Sequence, residues 1–189
     1  MHGTAQAERG GAAPRQASPT GEERHLSPDE LIVTKTDLKG RLTYTNDVFL
    51  RISAVAEIDA LGKPHNLVRH PDMPRGVFRL LWDAVTAGEE IFAYVQNLAL
   101  DGATYWVLAH VTPSFSASGA VVGYHSTRRA PSRAALDEVR RVYAAMRDVE
   151  ARHAGRGSDV ASLGWLRATL GDDGLTYSQW LWRLAGSHR

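Results

Sequence analysis

Residues 91–128 carry three runs rich in β-branched and aromatic residues, at 91–100, 105–115 and 121–128. Asp101-Gly102 separates the first two, and the Ser116 to Ala120 turn separates the last two. Spacers of this kind join neighbouring antiparallel strands, so the runs predict a meander. An earlier pair, residues 31–36 and 41–45, flanks Asp37-Leu38-Lys39-Gly40 and predicts a hairpin. Between the pair and the meander the period changes. Asn46 is placed to cap a helix with Val48, Phe49 and Ile52 on one face. Val77, Phe78, Leu81, Trp82 and Val85 form the apolar stripe of a longer helix, which Gly88 stops. Two strands, several helices and three long strands predict an α+β domain, with one five-stranded antiparallel sheet and helices on one face.

The flanks differ in composition. Residues 1–26 are rich in Gly, Ala, Pro, Ser and Arg without apolar periodicity, and predict a disordered tail. Ser27-Pro28-Asp29-Glu30 has the order of a capped turn and opens a domain over 27–130. Pro131 marks its exit, and residues 131–189 predict a helical C-terminal extension. Leu136, Val139, Tyr143 and Met146 recur at helical spacing, Gly155-Arg156-Gly157 breaks the helix, and apolar segments follow at 163–170 and 177–184. The seam covers under three heptads, which favours packing on a domain or partner over an independent coiled coil.

Composition excludes several classes. At 189 residues one core is expected. Lys and Arg number 22 against 21 Asp and Glu, so no strong field gathers nucleic acid or anionic lipid. With no cysteine, thiolate chemistry and cysteine-ligated metals are absent, and any redox sensing needs a cofactor. No apolar run reaches the roughly 18 residues of a membrane span, which predicts a cytoplasmic protein without direct membrane insertion. Neither a Gly-x-Gly-x-x-Gly nor a Gly-x-Ser-x-Gly string occurs, and no metal spacing appears, so a non-enzymatic role is expected.

One string is distinctive: Gly62-Lys63-Pro64-His65-Asn66-Leu67-Val68-Arg69-His70-Pro71-Asp72-Met73-Pro74. With Thr36 to Gly40, Tyr44 to Phe49, Leu81-Trp82, Asp101-Gly102, Tyr105-Trp106-Val107, Thr112-Pro113 and Gly123-Tyr124, it resembles the flavin-binding PAS domains of bacterial aerotaxis receptors and of PAS-only energy-taxis partner proteins. The resemblance spans residues 31 to about 129. It implies the PAS fold, with sheet order 2-1-5-4-3 and a cofactor held between helices and sheet.

The resemblance assigns FAD binding to Arg69, His70 and Asp72, with His65 and Asn46 as further candidates and Trp82 and Asn97 near the pocket. Arg69 can clamp phosphate oxygens bidentately, and His70 can gain charge when a flavin is reduced. Trp82, within an apolar stripe, also suits simple core packing. Where the aerotaxis receptors have Trp in the strand after the long helix, this chain has Ile91. Phe92 and Tyr94 share one face of that strand, and are expected to supply the aromatic wall instead. The implied function is a redox, oxygen or energy sensor signalling in trans to a partner such as a membrane-bound chemotaxis transducer, or to a second copy of the chain as a homodimer. FMN in place of FAD, haem held by His110 or His125, and a cofactor-free adaptor acting by dimerisation are the alternatives.

Overall fold

Asp37 closes the first turn with its own side chain. Its Oδ1 accepts from the backbone N–H groups of Lys39 and Arg41, both at 2.8 Å. Gly40 takes a φ of +72°, a left-handed conformation that a Cβ would strain. The computed structural model describes residues 17–153 and 155–186. The turn joins β2 (Ile32–Thr36) to β3 (Leu42–Thr45), after a short β1 (Glu23–Arg24). Asn46 then caps α1 (Asp47–Ile52), its Oδ1 accepting from the Phe49 N–H at 3.2 Å. Next come α2 (Glu57–Ala60), a 3-10 turn (His65–Val68) and α3 (Arg75–Thr86), with Gly88 at φ +83° just past the end of α3. The meander is β4 (Ile91–Leu98), β5 (Thr104–Phe115) and β6 (Val121–Arg129).

β4 pairs antiparallel with β5, β5 with β6, β6 with β2 and β2 with β3. Over the five longer strands this is the expected order, 2-1-5-4-3. A sixth member was not expected. β1 pairs parallel with β5, Glu23 opposite Thr104 and Arg24 opposite Tyr105. β6 ends at Arg129 opposite Leu108, which leaves the start of β5 open on that side. The chain before the domain fills the gap, the Thr104 N–H donating to the Glu22 carbonyl at 2.8 Å. The tail predicted to be disordered is therefore ordered in this part, while residues 1–16 lie outside the described residues.

The C-terminal extension folds as α4 (Arg133–Arg152), α5 (Ser158–Asp172) and α6 (Tyr177–Gly186). Its apolar stripe, Leu136, Val139, Tyr143 and Met146, is buried. It packs on the domain's own sheet: the Tyr143 hydroxyl donates to the Tyr94 carbonyl at 2.7 Å, and the Tyr143 ring lies 6.1 Å from that of Trp106. Helices α1–α3 thus cover one face of the sheet, and α4 with α6 cover part of the other. Helix α5 ties the layers by packing on both α3 and α4.

The α3–α5 contact depends on Gly76. A Cβ there would lie 2.4 Å from the Ser162 Oγ and 2.8 Å from the Leu163 backbone nitrogen. Gly76→Ala is expected to force the helices apart at a cost of about 1–3 kcal/mol. Urea unfolding checks this, and a midpoint equal to the parent's would show that the close approach is not used.

Candidate functional site

The alternation of the strands decides what lies beneath α3. Thr34 and Thr36 of β2, Val95 and Asn97 of β4, Ala109 and Val111 of β5, and Ser126 and Arg128 of β6 share the inner face. With Phe78, Leu81, Trp82 and Val85 of α3 they enclose a cavity of about 260 Å³. Pro64, His65, Asn66 and Arg69 close one side, and Gly40 and Tyr124 another. Exposed Lys39 and Trp82 mark the mouth. The Trp82 ring meets that of Tyr124 edge-on at 5.5 Å, and its far edge would lie 3.2 Å from a Cβ on Gly40.

Arg128 is the most unusual lining residue. It is only 7% exposed. Its Nη2 donates to the Thr34 Oγ1 at 3.1 Å and to the His65 Nε2 at 2.6 Å. Its Nη1, like the Ser126 Oγ, is buried without a hydrogen-bond partner among the described residues. Burial, eased by nearby Tyr105, lowers the guanidinium pKa to about 10. His65 accepts from this cation, so its ring is neutral with the proton on Nδ1. Burial first, and then Arg128, lower its pKa to about 3. His65 is partly buried and lines the cavity.

Four of the residues expected from sequence meet at this cavity: His65, Arg69, Trp82 and Asn97. Arg69 stacks its guanidinium over the Phe78 ring at 4.1 Å, and burial lowers its pKa. The others do not line it. His70 is 2% exposed and its Nδ1 accepts from the Asp72 N–H at 3.1 Å; Asp72 is exposed. The chain is extended at Arg69, so successive side chains diverge and His70 turns away. Asn46 is consumed by structure, accepting from the Val33 N–H at 3.0 Å and donating to the Leu31 carbonyl at 2.8 Å.

Phe92 and Tyr94 do share a face, but it is the outer one. Phe92 stacks on His110 at 4.1 Å and meets Trp182 at 4.8 Å, and Tyr94 lies beneath α4. The aromatic wall comes from α3 and β6 instead, through Phe78, Trp82 and Tyr124. His110 and His125 alternate with Val111 and Ser126, so neither faces the cavity as an axial ligand would. Among the described residues no group of three or more His, Asp or Glu side chains could hold a metal ion, and no helix is long and apolar enough to cross a membrane.

Sequence reasoning missed Phe78, Tyr124, Ser126 and Arg128 as site residues. The signal for Arg128 was its register: it follows Tyr124 and Ser126 at a period of two, a charge on the buried face of the strand. The cavity suits a flat ring system. Apolar walls can sandwich its faces, while Ser126 and Arg128 lie together on β6 as polar groups in the lining and Asn97, level with Tyr105 on β5, lies further along the sheet.

Neutral His65 makes stability depend on pH. The unfolded imidazole binds a proton near pH ~6.5, the folded one only near pH 3. Between these values the unfolded state holds more protons, so stability is full above the window and falls as pH drops through it. His65→Gln is expected to flatten that fall, measured by urea unfolding at neutral and mildly acidic pH. A slope equal to the parent's would show that His65 is not held neutral.

Comparison with known proteins bears on this geometry. Residues 25–127 match the family described as the PAS fold. The aerotaxis receptor of Escherichia coli (strain K12) is 33% identical over 153 residues, which cover 78% of this chain and 29% of the receptor. The chain thus spans under a third of that relative's length. Among solved structures, the blue-light photoreceptor Aureochrome1 LOV is similar in its light state, with a TM-score of 0.51 at 21% identity over 54% of this chain and 82% of that one. Its dark structure gives 0.52 at 19% identity over 63% and 86%.

Proposed function

This chain belongs to the PAS-fold family, and on that premise we propose that it is a non-catalytic redox sensor holding the ring of a noncovalent flavin, FAD, in the cavity beneath α3. The observation that carries this reading is Arg128, a buried cation in the lining of the cavity whose Nη1 has no hydrogen-bond partner among the described residues. A buried guanidinium lacking a carboxylate costs stability unless something else satisfies it. An electron-rich ring edge does so. Likeness to a protein named an aerotaxis receptor supports redox or energy sensing, and a chemotaxis transducer as the partner.

Each lining group has a task. Phe78, Leu81 and Trp82 cover one face of the ring and Val95, Ala109 and Val111 the other, excluding water. Arg128 would orient its polar edge, and His65 holds the Arg128 guanidinium in place. A bound flavin supplies reversible electron uptake, and so a change of charge beside Arg128.

A route outward exists through α3. Its Gly76 N–H donates to the Glu150 Oε1 of α4 at 3.0 Å, and the Ser162 hydroxyl of α5 donates to the same oxygen at 2.6 Å. A shift of α3 over the ring would therefore move the C-terminal helices, where a partner can read it, provided the redox states differ in their contacts with α3.

Freshly purified protein is expected to be yellow, to bleach with dithionite and to release FAD on extraction. A haem spectrum, or colourless protein after flavin supplementation, would overturn the reading. Arg128→Leu is expected to lose most of the flavin while the apoprotein melts at the parent's temperature or higher, because an unsatisfied buried charge is removed. Full flavin content in the folded variant would exclude Arg128 from the site.

A further inference from the structure

Arg69, Phe78 and Trp82 line the cavity on one side and, on the other, a groove of about 1080 Å³. The groove runs between the start of α3 and the α4–α5 junction. Its walls carry Arg69, Arg75, Arg79, Arg147 and Arg156 against the acids Glu150 and Asp159. Both acids are engaged. Glu150 receives the Gly76 and Ser162 donors, and Asp159 pairs with Arg79 at 3.5 Å. Arg75 has no carboxylate within ion-pair distance among the described residues. Arg147 reaches across from α4, its Nη1 donating to the Asp72 carbonyl at 3.1 Å. Arg75 lies near enough to Arg69 to add to the burial that lowers its pKa, and Glu150 only partly opposes them.

Size separates the two spaces. The cavity, at about 260 Å³, falls below the roughly 300–1,000 Å³ of ordinary ligand pockets and admits a ring system, not a dinucleotide. A ligand whose ring fills it must send its remaining atoms out through the mouth at Trp82, which also lines the groove with its surplus positive charge. Guanidinium groups recognise phosphate oxygens through paired N–H donors.

We propose that this groove binds the phosphate-bearing part of the cavity's ligand, so that the C-terminal extension, through Arg147, completes the binding site. The inference rests on the flavin reading for its ring, and the groove selects phosphorylated flavins over riboflavin. Ligand loading and the seating of α4 against α3 are then one equilibrium.

The test titrates FAD, FMN and riboflavin into the flavin-free full chain, and into its Arg75→Gln and Arg147→Gln forms. FAD is expected to bind the parent at least tenfold more tightly than riboflavin, and each substitution to weaken FAD by roughly tenfold with riboflavin unchanged. Equal affinities of FAD and riboflavin for the parent overturn the proposal, as does weakening of both ligands alike. Arg147→Lys, which keeps the charge, is expected to recover part of the FAD affinity in a folded protein; no recovery points to a packing role and counts against the groove. Inorganic pyrophosphate keeps the two readings apart. Pyrophosphate bound by the parent and lost in both glutamine variants supports the groove even where no flavin binds. Riboflavin bound without pyrophosphate or any FAD preference leaves the flavin reading standing and the groove refuted.

Discussion

A strand gives its side chains only two directions, and the long strands of this chain use both for burial. On the inner face, residues such as Val95, Ala109 and Ser126 are too small to meet α3, and the shortfall is the cavity. On the outer face, Tyr94, Trp106 and Phe92 are too large and apolar to be left to water, and α4 and α6 cover them. One register therefore sets both the ligand space and the seat of the extension. A slip of one residue in β6 would carry Arg128 out to the surface and bring His125 in.

Arg128 shows what the cavity costs the fold. A fully packed core would place an aliphatic residue here. Instead Ala109, directly opposite in the register, leaves room for a guanidinium, while Thr34 and His65 satisfy only one of its terminal nitrogens. Keeping His65 neutral adds a further penalty in acid. Local rules are broken together at one place while the surrounding strands obey them, the pattern of a site held at the expense of stability.

The architecture was legible because its signals are local: the Asp37 turn, the Asn46 cap, Gly88 and the three long runs each specify their own geometry. The site was legible only in part. Period two told that Phe92 and Tyr94 share a face but not which face, since both sides of β4 are apolar once an extension packs outside. The string from Arg69 to Asp72 is contiguous in sequence but extended in space, so Arg69 reaches the cavity while His70 turns from it. Arg128 lies 59 positions beyond Arg69, at the far end of another strand. Only the β2–β6 pairing brings it to Thr34. The parallel β1 bridge had no apolar pattern to announce it, because its role is to satisfy backbone groups.

The single carboxylate oxygen shared by Gly76 and Ser162 also bears on where the cooperative unit ends. The family match stops at residue 127, yet the Gly76 amide, second in α3, is satisfied by Glu150, and the α3 backbone meets α5 at a spacing only glycine permits. Opening α3 and releasing α5 break the same contacts, so the two should exchange their amide hydrogens as one foldon. The inheritable module and the folding module of this chain are therefore different lengths, and a graft cut at the family boundary would lose both Arg128 and the element that holds the cavity's roof shut.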